Sequence, residues 1–134
     1  MIDGHQRYEF ITSQIRYHNE KIIETFNRFL QLFAAIVGGS IWLSLQPRPS
    51  GAIRDYSVVS DALVIALALI SALNIINDLL AWLGFRQAES ALVGLDVLPP
   101  PHPIRSCWME YLMLAAMLGA GATFWLFNPL GAPT

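Results

Sequence analysis

The sequence has little charge and a single cysteine. Charged residues make up 13% of its 134 residues and hydrophobic residues 54%, whereas about a quarter of a typical soluble domain is charged. Cys107 cannot form a disulfide within the chain, which excludes a disulfide scaffold. A net charge of −2 gives no electrostatic basis for a nucleic-acid partner. These deficits exclude a soluble globular monomer and a disordered chain.

The sequence also lacks the motifs that organise catalytic and metal sites. It contains no His-Glu-x-x-His, no phosphate-binding glycine-rich loop and no Cys-x-x-Cys, and its three histidines have no ligand spacing. Thioethers suit soft cations, but three methionines near the last apolar run are better interpreted as flexible packing residues: Met109, Met113 and Met117. We therefore expect no enzyme activity, no cofactor and no metal.

What the chain does have is three charge-free runs, at 29–47, 62–77 and 111–134. A helix over 29–47 would be about 28 Å long, close to the roughly 30 Å of a bilayer's hydrocarbon core. The runs predict transmembrane spans at about 29–47, 62–85 and 108–127. The expected partner of these spans is the lipid bilayer.

The second span must tolerate Asp78. Residues 62–77 are too short to cross a membrane, so the helix is expected to continue to about Phe85, before Arg86. Thirteen Leu, Ile, Val and Phe residues in 62–85, each favouring insertion by roughly 0.3–0.6 kcal/mol, outweigh one Asp at about 3 kcal/mol. The span is therefore energetically acceptable.

The distribution of Lys and Arg predicts the orientation. The N-terminal segment and the second loop together hold six of these residues, and the other side holds two. The positive-inside rule then places the N-terminus in the cytoplasm and the C-terminus outside. We expect a multi-pass protein of the plasma membrane or of a bacterial inner membrane.

The segment before the first span is expected to be helical. Residues 3–28 contain no proline and, after Gly4, no glycine. They predict an amphipathic cytoplasmic helix (domain 1–28) that is continuous with the first span. The helix could lie on the membrane surface or on the protein's own loops, or form a short coiled coil between chains. The first interpretation is favoured because the heptad seam includes polar positions.

The remaining segments lie in the span-containing domain, 29–127, and after it. A proline-rich loop near 98–103 is expected to act as a stiff spacer between two spans. Residues 128–134 form a tail without charged side chains. The predicted fold class is an all-α integral membrane protein with three transmembrane helices.

A polar stripe on the second span is the main candidate site. It comprises Ser71, Asn74, Asn77 and Asp78, which cover roughly a third of the helix circumference. An ionisable residue within a span must be paired, hydrated or neutralised. The stripe could line an ion path, but we favour a clamp in which these side chains bond neighbouring helices. The candidate partners of Asp78 are Gln31, Arg28, Arg86 and Glu110.

Small residues at four-residue spacing predict close helix packing. The main ones are Ala34, Gly38, Gly39, Ala115 and Gly119. Small faces let membrane helices approach closely. Because three helices bury few faces among themselves, some of these faces are expected to contact another copy, which favours a homo-oligomer.

These observations favour an oligomeric accessory or scaffold subunit that offers residues 3–28 to a cytoplasmic protein partner. The first alternative is an ion-conducting pore or channel lined by the polar stripe. The second is a holin-like protein that permeabilises the membrane. Holins of three spans usually end in a basic cytoplasmic tail, whereas this chain ends Pro-Leu-Gly-Ala-Pro-Thr.

Overall fold

The computed structural model describes residues 4–47, 50–94 and 101–127. Within these ranges 94% of the residues are helical and no strand occurs. The described residues form four helices: α1 (Gly4–Ser44), α2 (Ser50–Val93), α3 (Pro103–Ser106) and α4 (Trp108–Phe127). Three of them, α1, α2 and α4, are long and apolar enough to cross a membrane. The prediction of three apolar, membrane-compatible helices is confirmed, and it indicates a membrane location.

Helix α1 joins the N-terminal segment to the first predicted span without a break. Its 41 residues correspond to about 61 Å, twice the thickness of a hydrocarbon core. The four buried residues of α1 are Ile11, Ile22, Phe29 and Ser40. Their spacings of 11, 7 and 11 residues keep them on one side of a straight helix, because 11 residues make almost three complete turns. One face of α1 is thus buried along most of its length.

Helices α1 and α2 form an antiparallel hairpin. His18 lies opposite Asp78 and Phe10 opposite Phe85, so residue numbers on the two helices sum to about 96 at each level. The 44 residues of α2 extend well beyond the predicted span 62–85. Buried residues continue on both sides of that span, at Ser60 and at Glu89 and Ser90.

A glycine ends α2. Gly94 has a φ of 105°, a left-handed conformation that other residues adopt at a cost, and its N–H donates to the carbonyl of Ser90 at 3.0 Å. This is the usual geometry of a helix C-terminus. The last helical residue is therefore Val93, eight residues past the predicted limit at Phe85, and Gly94 follows it.

The chain returns to the bundle through α3. Part of the predicted proline-rich loop, 98–100, lies outside the described residues, as does the tail, 128–134. Pro103 is the first residue of α3, a position where its missing N–H is not needed. Cys107 then separates α3 from α4, whose observed limits, Trp108 and Phe127, coincide with the predicted third span.

Helix α4 packs antiparallel to α2. The closest approach is at Gly121, where an added Cβ would lie 3.4 Å from the Cβ of Ala68. Two residues that lie side by side on these antiparallel helices therefore have residue numbers that sum to about 189. Contact between α4 and α1 is smaller and includes an edge-to-face pair of Phe33 and Phe124, with centroids 6.2 Å apart. Helix α4 is thus attached mainly to α2.

The core is narrow and the outer surface is apolar. The core residues are Ile22 and Phe29 of α1, Ala68, Ile75 and Leu79 of α2, Met117 of α4, and Cys107, which directly precedes α4. Many large hydrophobic side chains face outwards; Trp42, Leu73 and Leu126, for example, are each more than 60% exposed. Such a surface would aggregate in water but is compatible with lipid.

Candidate functional site

A group of polar side chains lies where α1, α2 and the start of α4 meet. We call it the polar junction: His18 and Lys21 from α1, Asp78 from α2, and Cys107 and Glu110 from the beginning of α4. Asp78 is only 3% exposed and shares a helix face with the core residues Ile75 and Leu79. Because α2 turns this face towards α1, the carboxylate points into the bundle.

The carboxylate of Asp78 has two basic neighbours on α1. The Nδ1 of His18 donates a hydrogen bond to Oδ1 of Asp78 at 3.0 Å, with Nδ1 protonated since a carboxylate only accepts. The Nζ of Lys21 is 3.9 Å from the same oxygen. The His18 ring is further held by stacking on Phe85, with centroids 5.7 Å apart. These contacts join the two long helices at one level.

The α4 side of the junction contains a thiol and a second carboxyl group. Cys107 is fully buried, and its pKa is raised by this burial and, to a lesser degree, by the negative charge of Glu110. The thiol is therefore protonated near neutral pH and is a poor nucleophile. The Oε2 atom of Glu110 is enclosed and has no hydrogen-bond partner within the described residues.

The junction is suited to holding helices together. A buried carboxylate paired with a histidine and a lysine is neutralised, and removing one member would leave another uncompensated. Within the described ranges no three His, Cys, Asp or Glu side chains are arranged to hold a metal ion. The chemistry available at the junction is hydrogen bonding and ion pairing.

Comparisons with protein families, curated proteins and solved structures give no match to this chain. No relative therefore supplies an activity or a partner. The function has to be inferred from the arrangement of the chain's own residues.

The predicted polar stripe is divided between two sides of α2. Ser71 and Asp78 are buried, whereas Asn74 and Asn77 are exposed. The difference arises because the interface with α1 follows one narrow face, and a rotation of 100° per residue carries Asn77 away from it. The four side chains consequently do not line one common surface within the chain.

The partners of Asp78 also differ from the sequence-based candidates. Arg28 pairs with Glu24 at 2.6 Å, and Arg86 pairs with Glu89. Gln31 is exposed on α1, about 13 residues along the helix from His18. Of the four candidates, Glu110 alone is near the level of Asp78, by the register of α4 against α2, although its enclosed Oε2 makes no hydrogen bond to Asp78.

The stagger of the hairpin explains this difference. The prediction assumed that the first span begins, near residue 28, at the membrane surface where the second span ends. In the structure α2 meets α1 at His18, ten residues earlier. A sequence signal for His18 does exist, since it is spaced by seven from Ile11 and by four from Ile22, both buried. A polar residue on the buried face of a helix is a candidate partner for a buried carboxylate.

The five small residues singled out for helix packing all lie on the outside. Ala34, Gly38, Gly39, Ala115 and Gly119 are exposed, and a Cβ added at any of the three glycines would meet nothing within 4 Å. Contact between helices of the same chain instead uses Gly121 and Ala68. The predicted small-residue faces remain free for another molecule.

The structure also contains an apolar groove. The groove has a volume of about 460 Å³ and lies between α1 and α4, near the turn end of the hairpin. Six of its seven lining residues are hydrophobic: Phe33, Val37, Ile41, Ala120, Phe124 and Phe127, with Thr123 as the seventh. It contains none of the residues of the polar junction, so the groove and the junction are separate features.

Proposed function

We propose that the chain is an oligomeric accessory or scaffold subunit of a membrane assembly, which presents the open end of its α1–α2 hairpin to a cytoplasmic protein partner. The observation that supports this most is the length of the hairpin. Asp78 is level with the start of α4, yet α2 continues to Val93 and α1 reaches back to Gly4. About 15 residues of each helix, or about 22 Å, therefore project past α4.

The charge distribution supports a cytoplasmic location for this projection. Arg7, Arg16 and Arg86 lie in it, Lys21 lies at its base and Arg105 lies just before α4, whereas the sequence between the first two predicted spans holds two basic residues, Arg48 and Arg54. Membrane proteins retain Lys and Arg on the cytoplasmic side. The proposed orientation has the N-terminus inside and the C-terminus outside.

The projection has the features of a rigid binding surface. His18 and Asp78 join its two helices at the base, and Phe10 and Phe85 contact each other edge to face farther out. Tyr17, next to His18, is 52% exposed, and Phe10 is 57% exposed. Exposed aromatic side chains on a rigid element are typical of protein interfaces.

A pore or a holin-like function has less support. The polar stripe would have to line a path, but Asp78 is enclosed and paired with His18 and Lys21, while Asn77, about 100° around α2 from Asp78, is exposed. The proposed role includes no catalytic step, because the junction holds a protonated thiol and paired charges rather than an activated nucleophile.

Two measurements test the proposal. A photo-cross-linking residue placed at Tyr17 should form an adduct with another protein in native membranes, whereas the same residue at Leu126, exposed on α4, should react mainly with lipid. Absence of any protein adduct at Tyr17 would contradict a partner at the projection. Purified protein in liposomes should show no ion flux; a flux whose selectivity changes in Asp78→Asn would favour the pore.

A further inference from the structure

We propose that copies of this chain associate in parallel through the outer face of α1. The contact surface is a set of six residues that we call the outer stripe: Glu24, Asn27, Gln31, Ala34, Gly38 and Ile41. The inference deepens the proposed function, on which it rests for the presence of several copies. It identifies which surface joins them.

The outer stripe has the spacing of a helix-packing seam. Its members are separated alternately by three and four residues, the pattern that lets two helices wrap around each other. They lie on the side of α1 opposite Phe29, which is buried, and all six are exposed. The stripe therefore faces away from the buried side of α1, and only Ile41 at its end also lines the groove between α1 and α4.

The depth of the stripe makes its polar half unsuited to lipid. The contacts of His18 with Asp78 and of Ala68 with Gly121 place residues 24–34 of α1 level with about 62–72 of α2 and 117–127 of α4. Both of those segments are free of charged residues. The bilayer that covers them would also meet Glu24, Asn27 and Gln31 on the outside of α1.

Polar groups at such a depth require a partner. A charged or amide side chain facing hydrocarbon without one is disfavoured, so such residues normally face another helix or a hydrated space. The outer face of α2 at the same depth presents Leu63, Ile70 and Leu73, which are suited to lipid. The outer stripe is the face that needs to be covered.

The chemistry of the stripe fits a second copy of itself. All copies insert with the same orientation, so their α1 helices run parallel and like residues lie at the same height. Asn27 and Gln31 each donate and accept hydrogen bonds, so each amide can pair with its own equivalent. Ala34 and Gly38 have little or no side chain, which allows the two backbones to approach.

Two opposite charges at the start of the stripe also favour a parallel pair of α1 helices. Glu24 and Arg28 are one turn apart and form an exposed ion pair within the chain, 2.6 Å long. In a parallel pair of helices related by a two-fold axis, Arg28 of one copy lies one helical turn from the level of Glu24 of the other, so its long side chain can reach that carboxylate, and the contact occurs twice. Four charges would then be neutralised together away from lipid.

Cysteine cross-linking in native membranes tests the surface. In a Cys107→Ala background, Gln31→Cys, Ala34→Cys and Gly38→Cys should each give several-fold more disulfide-linked dimer than Ile70→Cys. Ile70 is the matched control because it is 61% exposed on the outer face of α2.

The cross-linking outcomes separate this inference from the proposed function. More dimer at Ile70→Cys than at the three α1 positions would overturn the outer stripe and leave an oligomeric scaffold in place. No cross-link at any position, together with a monomeric mass in mild detergent and in lipid discs, would overturn both.

Charge reversal tests the contact between copies. The Glu24→Arg chain has two adjacent positive residues, and the Arg28→Glu chain has two adjacent negative ones. When the two chains are co-expressed with different tags, mixed pairs should be recovered several-fold more often than pairs of either variant with itself. Without a charge contact between copies, random pairing of equal amounts would give about twice as many mixed pairs as pairs of either variant with itself, and that ratio would overturn the contact.

Discussion

The Nδ1 of His18 and the Oδ1 of Asp78 are 3.0 Å apart, although 60 residues separate them in the chain. This contact fixes the stagger of the hairpin. His18 lies in the charged N-terminal segment, 3–28, whereas Asp78 lies in an apolar segment predicted to cross the membrane, 62–85. Both ends of the pair are needed to keep the charge of Asp78 from being isolated inside the bundle.

Two replacements of Asp78 should show whether its hydrogen bond or its charge stabilises the association of the helices. Asp78→Asn retains an acceptor for His18, so folding and assembly should survive. Asp78→Leu leaves His18 without its partner and should weaken helix association by about 0.6–2 kcal/mol. Unfolding monitored by circular dichroism in detergent measures the difference. Asn77→Leu is the matched control, because Asn77 is adjacent but exposed, and an equal loss in that variant would contradict the clamp.

Two neighbouring glycines of α4 should respond differently to added bulk. Gly121 faces Ala68 at contact distance, so Gly121→Leu should push α4 away from α2 and destabilise the fold by about 1–3 kcal/mol. Gly119 has open space around it, so Gly119→Leu should leave the single chain folded. Thermal unfolding of the two variants compares them, and equal stabilities would contradict the α2–α4 contact.

The thiol of Cys107 should be slow to react. Its pKa is raised first by burial and then by the charge of Glu110, and a raised pKa lowers the fraction of reactive thiolate at any given pH. Glu110→Gln removes the second cause, so the rate of maleimide labelling at about pH 8 should increase while remaining below that of an exposed cysteine. An unchanged rate would show that the carboxylate does not act on the thiol.

The orientation can be tested with reporters fused at two positions. A phosphatase fused after Thr134 should be active, because that end is proposed to lie outside, and a fluorescent reporter inserted within 90–103 should fluoresce in the cytoplasm. The exchanged fusions should be silent. Activity of the same reporter at both positions would be incompatible with three spans.

The helices could be predicted more readily than their contacts. The absence of proline and of internal glycine predicted that 3–28 would continue into the first span, and the hydropathy of 108–127 matched α4 to the residue. For α2, hydropathy marked only the central part, 62–85, because the flanking turns are stabilised by packing against α1 rather than by their own apolar character.

The stagger of α1 against α2 could not be predicted. It depends on which residues of two long faces fit together, and many alignments of two apolar faces have similar burial. The assumption that both spans share one surface led to Arg28 and Arg86 as candidates for Asp78, while each of these has an acidic neighbour on its own helix. Local pairs three or four residues apart form at little entropic cost and compete with distant partners.

Helices α1 and α2 contact each other more extensively than either contacts α4. This difference suggests an order in which the helices assemble during synthesis. Residues 4–93, which form the hairpin, leave the ribosome before α4 is synthesised, and chains fold in that direction. Membrane helices first insert and then associate. The hairpin can therefore complete its His18–Asp78 contact in the bilayer and serve as a finished template, against which α4 docks through Gly121.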